Sequence, residues 1–326
     1  MSLRVAPREP GTSQTGSSGG GRPKRRRWNR MTRADAFWGY AMIAPGFIGL
    51  LVFYIWPMLQ TFYFSFTEWG PFGGAEWTGL ANYRELFHGP EFLMSLRNTL
   101  VYTVLSVAIT EAIALVLAVL LNQKLRGMSV YRTLYFIPVV TMPVAIGLVW
   151  RWLYNSDYGV INYLLSLVGI EGANWLSDPD LALYAIVVVG VWSGIGYALV
   201  LFLAGLQTIP AEYYDAASVD GAGALVKFFR ITLPLLSPTV FFVTVISLIN
   251  SLQVFDLIFV MISSGRGAST SPVIDQTQSL VYLFYKNTFV INEQGQGAAV
   301  VLTLFIIIVV ITFAQFRLQR RWVHYE

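Results

Sequence analysis

Ile209 to Pro238 reads IPAEYYDAASVDGAGALVKFFRITLPLLSP, a charged and turn-rich stretch between two long apolar runs. Pro210 suits the first position of a helix, and Glu212 and Asp215 follow in the first turn, where the helix dipole favours negative charge. The turn residues Asp220-Gly221-Ala222-Gly223 then interrupt this helix before the helical pattern resumes. We expect a helical hairpin at a membrane face. Such a hairpin is either a connector that lies on the lipid surface or a docking element for a soluble partner.

The composition indicates an integral membrane protein. Of the 326 residues, 55% are hydrophobic and 12% are charged, whereas an ordinary soluble domain has about 25% charged residues. There is no cysteine, so we expect neither a disulfide nor a thiolate metal site. The net charge of +4 does not indicate a nucleic-acid partner, because the basic residues lie in short segments that flank apolar runs.

Six stretches hold around 20 or more mostly apolar residues each, enough to cross about 30 Å of hydrocarbon as helices. They are residues 37–66, 98–121, 134–154, 181–206, 239–263 and 297–316. We therefore expect an all-α integral membrane fold with six transmembrane helices. The predicted organisation is a disordered basic tail at 1–33, a membrane domain at 34–319 that includes the polar loop 207–238, and a short basic tail at 320–326.

The distribution of basic residues predicts the orientation of the chain. With both termini in the cytoplasm, 17 of the 22 lysines and arginines lie on the cytoplasmic side, as the positive-inside rule requires. The exceptions are Arg84, Arg97, Arg151, Arg266 and Lys286. This orientation places the hairpin in the cytoplasm and residues 68–95 and 155–180 in loops on the outer side.

The sequence contains no catalytic or nucleotide-binding motif. There is no GxxxxGK[ST] phosphate loop, no HExxH and no CxxC, and GxSxG occurs only at residues 16–20 of the Gly- and Ser-rich tail. The two histidines, His88 and His324, lie in a loop and at the C-terminus. We therefore expect no catalytic residue, no metal and no bound cofactor on this chain. ATP-driven transport would need another chain to hydrolyse the ATP.

Polar residues at membrane depth are candidates for a solute pathway, because their exposure to lipid is costly. Glu111 lies near the middle of the second span and is either a pathway residue or a hydrogen-bonding link between helices. In the fourth span, Trp192-Ser193-Gly194-Ile195-Gly196-Tyr197 combines small residues with two amphipathic aromatics. Small residues are typical of close helix packing, but Trp192 and Tyr197 also offer the flat apolar faces and the donors that sugars need.

The fifth span carries a second polar group, made of Ser247, Asn250, Ser251, Gln253 and Asp256. Ser247, Asn250 and Ser251 share one helix face by their spacing, and Gln253 lies beside it. Uncharged amides and hydroxyls suit a neutral polyol. The alternative is that these side chains form hydrogen bonds between helices.

The hairpin also carries a motif with a specific spacing. Asp215-Ala216-Ala217 is followed by Gly221 after three residues and by Ile231-Thr232-Leu233-Pro234 after nine more. This pattern resembles the Glu-Ala-Ala loop of ABC-importer permeases, and the neighbouring IP and VDGA resemble the carbohydrate, maltose-permease-like branch of the type I importers. The departures are Asp215 in place of the usual Glu, and Ser264-Gly265-Arg266-Gly267 in place of Gly-Gly-Pro.

The resemblance implies the type I ABC importer permease fold and a coupling helix that docks on a cytoplasmic ATPase. It assigns ATPase coupling to Glu212, Asp215, Ala216, Ala217, Asp220, Gly221 and Ala222. It assigns the substrate site to residues of the fourth span, Trp192, Ser193, Gly194 and Tyr197, and to the polar residues of the fifth. Whether Glu111 and Asp256 contact the substrate or only neighbouring helices stays open.

The resemblance further implies an assembly in the bacterial cytoplasmic (inner) membrane. Its members are a second permease subunit of different sequence, two ATPase subunits that bind ATP and Mg, and an extracytoplasmic solute-binding protein; the substrate is a carbohydrate. One alternative is a glycerol-phosphate permease, although the fourth and fifth spans lack the Lys or Arg that a phosphate group favours. An alternative of a different class is an ion-coupled carrier or channel. Such a protein needs an ion site within the membrane, and Glu111 and Asp256 are acidic residues at that depth.

Overall fold

The computed structural model describes residues 33–69, 73–123, 127–263 and 272–323. Residues 1–32 of the predicted basic tail, residues 324–326 and the Ser264-Gly265-Arg266-Gly267 segment lie outside the described residues. The described chain is predominantly helical, as expected. Its one sheet has two short antiparallel strands, β1 (Thr67–Glu68) and β2 (Glu76–Trp77), in which Thr67 pairs with Trp77.

The helices follow one another in this order: α1 (Arg33–Leu50), α2 (Trp56–Phe64), α3 (Ala81–His88), α4 (Pro90–Leu121), α5 (Met128–Val140), α6 (Pro143–Leu153), α7 (Val160–Leu167), α8 (Ala182–Thr208), α9 (Ala211–Val219), α10 (Ala224–Lys227), α11 (Leu233–Leu235), α12 (Ser237–Leu252), α13 (Asp256–Ile258), α14 (Pro272–Thr277), α15 (Leu280–Tyr285) and α16 (Gln294–Trp322). Wider π-helical turns occupy Leu51–Ile55, Phe228–Thr232, Phe259–Ser263 and Lys286–Ile291.

The described chain divides into two units, with the boundary between Trp56 and Pro57. In the first unit, α1 contains Pro45 and continues into the π-helical turn Leu51–Ile55. This wide turn precedes Pro57, which has no backbone N–H and crowds the carbonyl group four residues before it. The π turn at Phe228–Thr232 in the second unit likewise precedes Pro234. Both irregular turns therefore have a local cause in the sequence.

Among the described residues, four helical stretches are long and apolar enough to cross a membrane: Ala36–Phe64, Pro90–Leu121, Ala182–Thr208 and Gln294–Arg320. Two bent pairs raise the number to six if each pair is one span. The pairs are Val130–Val140 with Pro143–Leu153, bent by 100°, and Ala224–Leu235 with Ser237–Leu252, bent by 66°. The 100° bend interrupts the predicted span 134–154, so a single continuous helix there was wrong; the 66° bend at Leu236 lies before the predicted span 239–263, which is interrupted instead after Leu252.

The breaks have identifiable physical reasons. Pro143 begins α6, and Met142 before it has the extended backbone that a following proline favours (φ −58°, ψ 132°). In the fifth predicted span, α12 ends at Leu252 and helix resumes only at Asp256. The carbonyl group of Val254 in this gap accepts a hydrogen bond of 2.6 Å from Ser279 Oγ. A tertiary contact thus satisfies a backbone group that the interrupted helix leaves free.

Helices α4 and α8 pack side by side at the centre of the second unit. Towards the C-terminal end of α4, Ala114 and Ala118 are buried with Leu199 and Phe202 of α8. Small residues allow two helices to approach closely in a membrane, where packing rather than the hydrophobic effect drives association. This close pair forms the frame on which the polar residues described below are arranged.

Candidate functional site

A cavity of about 310 Å³ lies between α4, α8, the C-terminal part of α12 and α13. Its described lining residues are Tyr102, Ser106, Val107, Thr110, Pro143, Gly190, Gly194, Tyr197, Ser247, Asn250, Ser251, Gln253, Val254, Phe255, Asp256 and Leu257. Most of its polar lining residues have hydroxyl or amide side chains. Asp256 is the only carboxylate among these lining residues, and none of them is Lys or Arg.

Helix α4 contributes Tyr102, Ser106 and Thr110, three residues that the sequence analysis did not single out. They recur at intervals of four and therefore share one face of the helix. The hydroxyl oxygens of Ser106 and Ser251 are 3.4 Å apart, so a hydrogen bond joins α4 to α12 beside the cavity. The four-residue spacing within an otherwise apolar span was a visible signal for these residues.

Helix α8 contributes Gly190, Gly194 and Tyr197. A Cβ atom on Gly190 would collide with the hydroxyl group of Tyr102, and one on Gly194 would lie 3.3 Å from the methyl carbon of Thr110. Both glycines therefore allow α4 to approach and leave room for the cavity at the same point. Gly194 therefore packs closely against α4 and also lines the cavity.

The polar group predicted on the fifth span lines the cavity as a set. Ser247, Asn250 and Ser251 do so from the last turns of α12. Gln253 and Asp256 also line the cavity, because the helix is interrupted between Leu252 and Asp256 and the chain changes direction there. Irregular backbone at membrane depth is tolerated where it lines a cavity, and transporters build solute sites from such broken helices.

Three predicted pathway residues lie outside the cavity lining. Trp192 is 43% exposed, and its ring meets that of Trp150 edge-on, with 5.6 Å between the ring centres. Ser193 donates a hydrogen bond of 3.0 Å to the carbonyl oxygen of Gly190 in its own helix. Glu111 accepts a hydrogen bond of 2.8 Å from Thr244 Oγ1, which links α4 to α12. This contact corresponds to the second interpretation of Glu111, a hydrogen-bonding link between helices.

The predicted hairpin is formed by α9, the turn at 220–223 and α10. Pro210 lies one residue before the first helical position, and α9 begins at Ala211. Gly221 has φ +76°, a conformation that residues with a side chain rarely adopt. Its N–H group donates to Ser218 O (3.1 Å), and the N–H group of Ala222 donates to Ala217 O (2.9 Å). These two bonds form a Schellman motif, which ends the helix at Asp220.

Side-chain hydrogen bonds connect the two arms of the hairpin. Lys227 Nζ donates to Ser218 Oγ at 2.6 Å, and the hydroxyl groups of Tyr214 and Thr232 are 3.1 Å apart. None of the nine residues of α9 is buried. The predicted coupling residues Glu212, Asp215, Ala216, Asp220 and Gly221 are exposed, whereas Ala217 and Ala222 are half-buried at the turn.

Comparison with known proteins identifies the family. Residues 111–324 match the family model described as "Binding-protein-dependent transport system inner membrane component". The chain is 36% identical to the probable ABC transporter permease protein YesP of Bacillus subtilis, over 91% of this chain and 95% of that protein. It is 33% identical to the trehalose/maltose transport system permease protein MalF of Thermococcus litoralis, over 90% and 97%.

A further relative is the sn-glycerol-3-phosphate transport system permease protein UgpA of Pectobacterium atrosepticum, 31% identical over 88% of this chain and 95% of that protein. Among solved structures, a bacterial ABC transporter for the acidic polysaccharide alginate matches with a TM-score of 0.78 at 23% identity, over 88% of this chain and 96% of that chain. That match shows the fold, which is the permease fold of a type I ABC importer. The chain belongs to the family of binding-protein-dependent transport system inner membrane components, as a permease subunit of an ABC importer.

Proposed function

We propose that this chain forms half of the translocation pathway of an ATP-driven importer for a neutral sugar or oligosaccharide. A second permease subunit of different sequence would supply the other half. Two ATPase subunits would bind ATP and Mg and supply the energy, because the sequence has no phosphate loop of its own. An extracytoplasmic solute-binding protein would deliver the sugar.

The single observation that carries the choice of substrate is the chemistry of the cavity. Its polar lining consists of hydroxyl and amide groups, with Asp256 as the only charged member and no described Lys or Arg. Neutral donors and acceptors can match sugar hydroxyl groups without the desolvation cost of a buried charge. Tyr102, Tyr197 and Phe255 add flat apolar faces for the C–H side of a sugar ring.

The exposed surface of the hairpin supports its docking on an ATPase. Val219 is 89% exposed and Leu225 75% exposed, and Phe229 is exposed on the following turn. Large apolar side chains at the tip of a polar hairpin are typical of a surface that a partner covers. The Schellman motif and the bond from Lys227 to Ser218 hold the two arms together, so that the hairpin can transmit force as one body.

The positive-inside distribution supports an orientation with both termini and the hairpin in the cytoplasm. Of the 22 lysines and arginines, 17 lie on that side. In this orientation α4 begins at the outer face and runs inward. The exposed acidic residues Asp157, Glu171 and Asp180 then lie in an outer loop, available to the solute-binding protein.

Glycerol phosphate is the second candidate substrate, because the relative named for sn-glycerol-3-phosphate transport is about as similar as the one named for trehalose and maltose. The cavity favours the neutral sugar, since a phosphate group is usually held by Arg or Lys. The alternative of an ion-coupled carrier or channel is contradicted by the family, whose members are components of binding-protein-dependent systems.

The test is uptake by the complete importer, reconstituted in lipid vesicles with its binding protein and ATP inside. The probes are labelled maltose, trehalose and glycerol 3-phosphate. We expect uptake of a neutral sugar that stops when ATP or the ATPase subunits are omitted. Uptake of glycerol 3-phosphate alone would contradict the substrate assignment. Uptake of any probe by the isolated chain would contradict the dependence on partner subunits.

A further inference from the structure

A broad apolar groove of about 1440 Å³ lies between α2, α3 and α16, within the second unit. Helix α2 contributes Met58, Leu59 and Phe62, which share one face by their spacing, and α16 contributes Phe305 and Ile306. Each of these five side chains is 47–56% exposed. The groove is larger than the roughly 300–1,000 Å³ of a usual small-molecule pocket. Its size and its apolar walls suit long hydrocarbon chains better than a compact polar solute.

The groove has a defined depth below α3. Asn82 of α3 donates a hydrogen bond of 2.9 Å to the carbonyl oxygen of Thr67 in β1. Two residues later, the carbonyl oxygen of Trp69 accepts a bond of 3.1 Å from the N–H group of Gln294, where α16 begins. Helix α3 therefore lies at the start of α16. Of the described lining residues, Ile306 is the furthest along α16, roughly 18 Å from Gln294 at 1.5 Å per residue.

This depth is close to that of one leaflet, which is half of the hydrocarbon thickness of about 30 Å. In the proposed orientation, α3 precedes the inward-running α4 and lies at the outer face of the membrane. The groove therefore extends from the outer face through the outer leaflet.

Two side chains of opposite charge line the groove on α3. Arg84 and Glu85 are both exposed, and among the described residues neither forms an ion pair. Arg84 is also one of the five basic residues that do not lie on the cytoplasmic side. Arginine is well suited to bind a phosphate group, and a carboxylate attracts an ammonium group. The outer end of the groove therefore complements a headgroup that carries both charges.

We propose that this groove binds a phospholipid of the outer leaflet whose headgroup carries a phosphate and an amine, namely phosphatidylethanolamine. Arg84 binds the phosphate group, Glu85 binds the ammonium group, and the acyl chains lie against α2 and α16. The competing occupant is a membrane helix of the second permease subunit. Such a helix needs a groove along the whole hydrocarbon thickness, and it would cover both charges without giving them partners, which is costly.

The test measures which lipids the complete importer retains. The importer is reconstituted in vesicles of equal parts phosphatidylethanolamine, phosphatidylglycerol and phosphatidylcholine and is then extracted in mild detergent. Mass spectrometry counts each lipid per complex, and the recovery of every subunit is the second readout. Neither readout depends on the transported solute.

Two pairs of variants separate the groove from the rest of the surface. Ile306→Trp fills the groove, and Val310→Trp is its matched control, because Val310 is 59% exposed one turn further along α16 and is not a lining residue. Arg84→Ala removes the partner of the phosphate group. Its control is Arg97→Ala, because Arg97 is exposed on α4 outside the groove.

We expect the wild type to retain phosphatidylethanolamine in excess over the other two lipids. Ile306→Trp removes most of this excess, and Arg84→Ala lowers it about two- to fivefold, the effect of one exposed ion pair. Glu85→Gln lowers the preference over phosphatidylglycerol, which has no amine. Both control variants behave as wild type.

Equal retention of the three lipids by the wild type would overturn the proposal, as would unchanged retention in both Ile306→Trp and Arg84→Ala. An excess of phosphatidylglycerol would overturn the assignment of the headgroup. Loss of the second permease subunit from Ile306→Trp, with lipid retention unchanged, would assign the groove to that subunit instead.

Discussion

Gly221 provides the sharpest test of how the hairpin works. Its φ of +76° places it in the left-handed region, and it is the pivot of the Schellman motif that ends α9. A Cβ atom at this position would meet no heavy atom within 4 Å. Gly221→Ala therefore adds no collision, and its whole effect comes from the backbone conformation.

The left-handed conformation costs a residue with a side chain about 1–2 kcal/mol relative to the right-handed one. This cost falls on the residue that ends the helix. It therefore opposes the stabilisation that the turn gains from two hydrogen bonds, from Gly221 to Ser218 and from Ala222 to Ala217. A penalty of this size changes the population of the intact turn by a factor of about 5–30. Since the turn sets the angle between α9 and α10, the hairpin should lose its fixed shape in the same proportion.

The assay is retention of the ATPase subunits on affinity-purified permease, with sugar-stimulated ATP hydrolysis as the second readout. Gly223→Ala is the matched control, because Gly223 lies in the same turn with φ −72° and also has open space around it. We expect Gly221→Ala to lower both readouts severalfold and Gly221→Asn to lower them less, because Asn tolerates the left-handed region. Equal behaviour of Gly221→Ala and Gly223→Ala would refute the reasoning.

Two further predictions concern the packing around the cavity. Gly190→Ala places a methyl group against the hydroxyl group of Tyr102 and should destabilise the packing of α4 on α8 by about 1–3 kcal/mol. The measurement is the melting temperature in detergent, which should fall. Gly194→Ala should lower the stability clearly less. Thr244→Val removes one donor to Glu111 and should cost about 1–3 kcal/mol; adding Glu111→Leu should recover most of this loss, because the carboxylate that lost this donor is then absent. Full additivity of the two substitutions would contradict the proposed link.

The hairpin could be predicted from the sequence because its signals are local. Gly221 marks a helix end by its own conformational freedom, and the acidic residues after Pro210 mark a helix start. The position of Pro210 was misjudged by a single residue, which is within the ordinary uncertainty of helix ends. The bonds between the arms, from Lys227 to Ser218 and between Tyr214 and Thr232, depend on the angle of the turn. No periodic pattern encodes that angle.

Lining residues on two walls of the cavity, α8 and α12, were singled out from the sequence, but those on α4 were not. The polar residues of α12 interrupt a strongly apolar run, so their composition alone singles them out. On α4, Ser106 and Thr110 are small hydroxyl residues that are common in membrane helices, and only their four-residue spacing distinguishes them. Glu111 is the more conspicuous residue of this span, because it carries a charge. That carboxylate proves to contact Thr244 between the helices.

One of the two helix breaks could be predicted from the sequence, and the other could not. Pro143 was visible in the sequence, and a proline within a long apolar run is a probable boundary. The gap between Leu252 and Asp256 contains no proline or glycine. It depends on Ser279, 25 residues further along the chain, whose hydroxyl group satisfies the carbonyl of Val254. A contact at that sequence separation cannot be obtained from hydropathy or from local propensity.

In the proposed importer, the covalent connections of the hairpin link the membrane face to the cavity. One arm continues from α8, which holds Gly190, Gly194 and Tyr197, and the other leads into α12, which ends at the break beside the cavity. The 16 residues of α12 form a rod of about 24 Å. The second arm reaches α12 through the 66° bend at Leu236, so in the proposed mechanism a movement of the hairpin would shift α12, and with it one wall of the cavity, relative to α4. The Ser106 and Ser251 contact and the Glu111 and Thr244 contact join α12 to α4 and would oppose this shift.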